Sequence, residues 1–169
     1  SIMSTGGGGD LSLGYEAIDI CEHLGHSLRL LSMDQVKEND WYVSVGMIGS
    51  ISEESFMPTE KIITLMTEAV YALQAHLDVK FSGIISPELG GITGMALVTA
   101  ASSNIPILDC DATGRAVPCM DQTTFNIANI DACPVSIATT HEESIIIEHT
   151  PNSDRLEKLL RSIAITSGN

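Results

Sequence analysis

Short apolar runs that do not alternate with polar residues place the tightest constraint on this chain. They fall at residues 41–48, 81–86 and 105–108, and a strand written in this way is covered on both faces, as the strands of a parallel sheet are. Segments of helical period lie between them. Residues 59–77 set Ile62, Ile63, Met66, Val70, Leu73 and Leu77 on one face and Glu60, Lys61, Glu68 and Gln74 elsewhere, with Thr59 placed to cap the helix. Gly90, Gly91 and Gly94 lead into a helix of small residues at about 93–102. Upstream, residues 15–24 have helical spacing and 27–32 read as a short strand. Downstream, 134–138 and 144–148 read as an antiparallel addition to the sheet, and Ser153 caps a last helix that turns Leu156, Leu159, Leu160 and Ile163 inward. Helices that alternate with strands in this order predict an α/β fold: a three-layer sandwich with a mostly parallel sheet and an antiparallel C-terminal addition, in one domain over residues 1–169.

Charge narrows the function. Eight Lys and Arg against 22 Asp and Glu leave a net charge of −14, which repels nucleic-acid phosphates and anionic lipid headgroups. Neither nucleic acid nor a membrane is therefore an expected partner. The four cysteines, Cys21, Cys110, Cys119 and Cys133, have no spacing of a zinc site or a disulfide framework. With no apolar run of membrane-spanning length and no signal peptide, a cytoplasmic location with reduced thiols is expected.

Candidate chemistry sits where loops leave the strand ends, because ligands of open parallel sheets bind there. Gly6, Gly7, Gly8 and Gly9, followed by Asp10, form a glycine run that matches neither nucleotide-binding spacing, so no nucleotide cofactor is expected. Such a run can offer consecutive N–H groups to an anion, or can simply make a tight turn. Glu88 stands at a strand end ahead of Gly90 and Gly91, a carboxylate beside a glycine-opened helix. Asp109, Asp111 and Arg115, with Gly114, share one loop, where two carboxylates and a guanidinium can orient a planar polar substrate or activate water. An Arg in so acidic a chain is expected to be held by a carboxylate, as catalytic apparatus or as a structural ion pair. Cys110, between two aspartates, is poorly placed for a reactive thiolate. The histidines, His23, His26, His76, His141 and His149, show no ligand-type pairing, so no metal site is encoded by spacing. A divalent ion bridging Asp109 and Asp111 stays open.

Taken together, residues 45–49, 87–91 and 109–118 and the glycine run resemble, in order and spacing, the N-terminal domain of the S-methyl-thiohydantoin desulfurase-like family, often encoded near hydantoinase-type enzymes. The resemblance runs from about residue 4 to about 148, and the Asp-rich Gly114-Arg115-Ala116 segment is its most specific part. It implies a three-layer α/β domain, normally followed by a β-rich C-terminal domain that is expected to be absent from this chain. It also implies hydrolytic removal of a thiol-type leaving group from a five-membered heterocycle, with Glu88, Gly90, Gly91, Asp109, Asp111, Gly114 and Arg115 as site positions. The chain has Cys119 where that family usually has an acid after the proline. The reading that follows is a hydrolase-like domain binding a hydantoin-type ligand: Glu88 or Asp111 as base, Arg115 and glycine N–H groups holding the anion, Asp109 orienting Arg115. The alternative is a non-catalytic subunit, assembled with a second copy or with a separately encoded C-terminal domain.

Overall fold

A computed structural model describes residues 11–49, 57–117 and 119–168. Its element order is α1 (Leu11–His23), β1 (Leu30–Leu31), β2 (Trp41–Ser44), α2 (Thr59–Leu77), β3 (Phe81–Ser86), α3 (Ile92–Ser102), β4 (Ile107–Asp111), α4 (Thr124–Ile127), β5 (Val135–Ala138), β6 (Ser144–Ile147) and α5 (Ser153–Thr166). The first four strands form one parallel sheet in the order β1-β4-β3-β2. The fold is thus α/β, as the apolar runs predict.

The antiparallel pair at the C-terminal end is present, with Val135 opposite Ile147 and Ala138 opposite Ser144, but it makes a separate two-stranded sheet and does not extend the parallel one. It packs instead on α2, where Ser136 Oγ donates to Ala69 O (2.5 Å) and Lys61 Nζ to Thr140 O (3.1 Å). The half-buried residues of β5 and β6 find an apolar partner on the outer side of that helix, whereas a parallel-sheet edge of two or four residues offers them little surface.

Helices α1, α2 and α3 pack on one another as well as on the sheet. On α2 the stripe Ile63, Met66, Val70 and Leu73 is buried at spacings of three and four, as an amphipathic helix requires. Helix α3 buries Ile92, Met95, Ala96, Val98, Thr99, Ala100 and Ala101, which leaves almost no solvent side. It lies between α1, α2 and strand β3. Only small residues admit so close an approach: a Cβ placed on Gly94 would come within 2.5 Å of the Gly14 Cα, so the backbones of α1 and α3 touch there.

Contacts between side chains give the relative level of the three helices. Thr99 Oγ1 on α3 lies 3.6 Å from Met66 Sδ on α2, and Cys21 Sγ on α1 lies 3.8 Å from Val98 O. Seven residues toward the N-terminus of each helix, a shift of roughly 10 Å at ~1.5 Å per residue, Thr59 stands level with Ile92 and Gly14 level with Gly91. All three N-termini therefore meet at one end, where β2 and β3 finish and hand over to α2 and α3.

Boundaries move in ways that matter. Residues 109–111, read as the end of a strand, lie within β4. Helix α4 replaces part of a predicted loop. Neither helix cap is the predicted one. Pro58 occupies the N-cap of α2, which makes Thr59 the first helical residue, and Asn152, not Ser153, caps α5 by accepting from Arg155 N (2.9 Å). The surface pairs predicted on α5 do form: Lys158 Nζ to Asp154 Oδ2 and Arg161 Nη2 to Glu157 Oε1, each at 2.7 Å. Among the described residues, no helix is long and apolar enough to cross a membrane.

The Gly14–Gly94 contact makes a differential prediction for urea unfolding. Gly94→Ala should destabilise by about 1–3 kcal/mol, because the new methyl must push two backbones apart. Gly14→Ala, whose Cβ would meet its nearest neighbour at 3.5 Å, should be neutral or stabilise by up to about 1 kcal/mol through helix propensity. Equal effects of the two changes would contradict the close crossing.

Candidate functional site

At the strand-end rim, the loops after β3 and β4 are stitched to each other. Ser86 lies opposite Asp111 in the register, and Ala112 N donates to Ser86 O (3.1 Å). Beyond the strands, Val117 N donates to Glu88 Oε2 (3.1 Å) and Thr113 Oγ1 to Pro87 O (3.4 Å). Glu88 is thus brought against the loop that carries Arg115, although 27 residues separate them in sequence. The loop after β2 joins the same edge: Val45 N donates to Ile85 O (3.4 Å), and a Cβ on Gly46 would sit 3.7 Å from the Pro87 ring.

The Glu88 loop is held from inside. Ser86 Oγ donates to Glu88 O (2.8 Å), Thr93 Oγ1 donates to the same carbonyl (3.1 Å), and Gly90 N donates back to Thr93 Oγ1 (3.1 Å). These bonds fix the backbone of Glu88 and leave its carboxylate to reach the neighbouring loop. They also occupy the Gly90 N–H, which the sequence reading offers to an anion. Gly91, buried, is the N-cap of α3, and no side chain caps that helix.

Asp111 serves the turn that follows β4. Its Oδ1 accepts from Thr113 N (2.7 Å) and from Gly114 N, and Gly114 takes the left-handed conformation the turn needs (φ 68°). Thr113 Oγ1 closes it by donating to Arg115 O (2.5 Å). The Gly114 N–H is thus engaged by Asp111, as the Gly90 N–H is by Thr93, and both carboxylates at the rim accept from backbone donors: Asp111 through Oδ1 within its own turn, Glu88 through Oε2 from the neighbouring loop.

Arg115 itself is exposed, with Nε donating to Ala116 O (3.3 Å). Among the described residues it forms no ion pair, and Asp109, also exposed, does not hold it. Of the two carboxylates on its own loop, Asp111 turns to its own backbone, and the gain from pairing Arg115 with the solvated Asp109 is small. Gly7, Gly8, Gly9 and Asp10 lie outside the described residues. Also among the described residues, no three His, Cys, Asp or Glu side chains gather as metal ligands.

Cys110 lies in β4 between the two aspartates. Burial pushes its thiol above the ordinary value, and the charges of Asp111 and Asp109 push it further. The sequence reading names the charges; partial burial of the strand is the larger cause. Cys119 occupies the wall of a different cleft, of about 250 Å³, between the Met120–Gln122 turn and α5, with Asp121, Asp154, Lys158 and Arg161. A second concavity of about 450 Å³, with Leu31, Val36, Lys37 and Ser82, lies at the opposite end of β3 from Glu88. Thr59, buried at the head of α2, has a hydroxyl that finds no hydrogen-bond partner among the described residues.

Among known proteins, residues 1–149 match the family described as S-Me-THD-like, N-terminal domain. The fold is similar to that in a crystal structure of a protein from Chromobacterium violaceum, solved as a structural genomics target. The TM-score is 0.73 and the identity 22 %, over 94 % of this chain and 45 % of that one, so this chain spans less than half the length of that protein. No curated protein matches significantly.

The raised Cys110 thiol gives a pH prediction with a definite sign. Its neutral form is favoured in the folded state, so the stability it contributes is present below the ordinary thiol pKa and is lost as pH rises through the folded value. Iodoacetamide labelling of Cys110, followed by peptide mass, should therefore show a pH midpoint above that of a free thiol, about 8.5. A midpoint at or below that value would refute the assignment.

Proposed function

The chain belongs to the S-Me-THD-like family, as its N-terminal domain, and on that premise we propose that it binds a hydantoin-type heterocycle at the strand-end rim and promotes hydrolytic loss of a thiol-type group. The observation that carries this reading is the linkage of the two loops: Glu88 Oε2 accepts from Val117 N, which sets a carboxylate next to the loop that bears Arg115, a guanidinium with no ion pair among the described residues. A planar ring with alternating carbonyl and N–H groups is matched by such a pair, since a carboxylate accepts from ring N–H and a guanidinium donates to ring oxygen.

In the proposed step, Glu88 takes a proton from water as the water oxygen bonds to the ring carbon that carries the thiol group. Arg115 faces the negative charge that develops on the ring. The carbon–sulfur bond then breaks as the departing thiolate takes the proton from Glu88, and the remaining hydroxyl proton passes to the ring nitrogen as the carbonyl forms. Asp111 holds the turn that presents Arg115. A non-catalytic subunit of the same fold is the second reading. It is favoured by Cys119, which departs from the acid usual in the resembled family and lines a cleft apart from the rim.

Calorimetry with hydantoin tests the first reading. Glu88→Gln, which keeps an oxygen for Val117 N, and Arg115→Ala should each weaken binding by about tenfold or more, the scale of a charge-assisted hydrogen bond. Unchanged affinity in both variants would remove the proposed site and leave the subunit reading.

A further inference from the structure

We propose that the free edge of the parallel sheet at β1 pairs with the same edge of a second copy of this chain, joining two four-stranded sheets into one across a two-fold axis. The proposal is independent of the reading above. Leu30 lies opposite Ile107, where β4 begins, so this edge sits at the end of the sheet away from the Glu88 and Arg115 loops.

The backbone direction of β1 follows from its pairing. Ile107 N donates to Arg29 O (2.9 Å), and in a parallel ladder this turns the N–H and C=O of Arg29 and Leu31 toward β4 and those of Leu28 and Leu30 outward. Among the described residues no strand lies beyond them. Such an edge is normally blunted by lysine, proline or a bulge. Here leucines stand instead: Leu24, Leu28 and Leu30 are 64 %, 43 % and 65 % exposed, and Met33 nearby is 57 % exposed.

Two observations select a second copy as the occupant. The first is charge. Two chains of net charge −14 repel each other over most of their surface, yet residues 23–33 contain no Asp or Glu. The guanidinium there, Arg29, is folded back onto its own chain, with Nη2 donating to Asn104 Oδ1 (3.0 Å). By contrast the other edge, β2, directly follows Glu38 and Asp40. The second is area. These apolar side chains expose roughly 400 Å² per copy, which at the ~65 % apolar share of homodimer interfaces corresponds to about 1,200 Å² in total, the lower bound for a stable pair. Charge also sets the register. Arg29 on the axis would face its own copy, so Leu30 takes the axis and exchanges both backbone bonds with its counterpart.

Light scattering coupled to size exclusion should give wild type a mass that approaches twice the 18.0 kDa of one chain as concentration rises, with more dimer at higher salt, which screens the acids. Leu30→Lys sets two ammonium groups together on the axis. Leu30→Pro removes the outward N–H and none of the bonds to β4. Each should weaken association by about tenfold or more. Trp41→Lys, on the opposite edge, should not. Both positions are exposed, so circular dichroism should show the fold retained in all three variants. Wild type that stays monomeric at both salt concentrations, or a dimer that survives Leu30→Lys, overturns the proposal. A dimer lost in Trp41→Lys alone assigns the contact to β2 and overturns it as well.

Discussion

The burial of α3 on nearly every side is the constraint from which the rest of the structure follows. A helix with no solvent face cannot carry large side chains on all of them, and α3 meets its neighbours through Gly94, Ala96, Ala100 and Ala101. Close packing of this kind has little slack, since interiors are as dense as molecular crystals. It therefore fixes how far α1 and α2 can slide along α3. The Gly14–Gly94 crossing sets one level, and the Thr99–Met66 contact sets the other. The alignment of three helix N-termini is a result of packing deep in the core, at residues that touch no ligand.

Order at the rim is inherited from that packing. Once α3 is placed, the turn from β3 must reach it within a few residues, and the Ser86, Gly90 and Thr93 bonds around Glu88 hold that turn in one shape. The β4 loop then gains a partner of known position. Val117 N meets the Glu88 carboxylate, and Thr113 meets the Pro87 carbonyl. Arg115 is the exception: its backbone is fixed through Thr113 while its guanidinium is solvated. For the proposed ligand, a side chain arranged like this can adapt at low cost, since among the described residues no ion pair must first be broken.

The sequence makes most of the scaffold legible and only part of the site. Unalternating apolar runs and the stripe on α2 identify the parallel sheet and its crossovers, because burial on one face or on two leaves a direct mark on residue order. The Glu88 and Arg115 loops are foreseeable too, through the rule that strand ends face one edge. Which bonds form within them is not. Asp111 beside Arg115 reads equally as an ion pair or as a turn-former, and only the left-handed backbone at Gly114 decides for the turn. Thr59 reads as a cap because Ser and Thr so often are, and a shift of one residue turns it into a buried hydroxyl with no capping role. The hairpin is recognisable from its pattern, but its docking on α2 depends on the second apolar side of that helix, around Ala69, which period alone does not assign.

A net charge of −14 and the negative charge that the proposed step develops on the ring stand in apparent conflict, and the difference in range resolves it. The acids are mostly solvated, so their summed field is screened beyond about 8–10 Å at physiological ionic strength. The Arg115 guanidinium and the dipole of α3 act only over contact distances, within the first turn of the helix. At contact distance the local donors therefore dominate, while farther out the protein repels anions in general. A polyanion such as a nucleic acid or a lipid surface experiences the repulsion along its whole length and gains the local attraction only once. A small ligand of low charge loses little on approach, so the charge distribution is compatible with the compact heterocycle of the proposed reading.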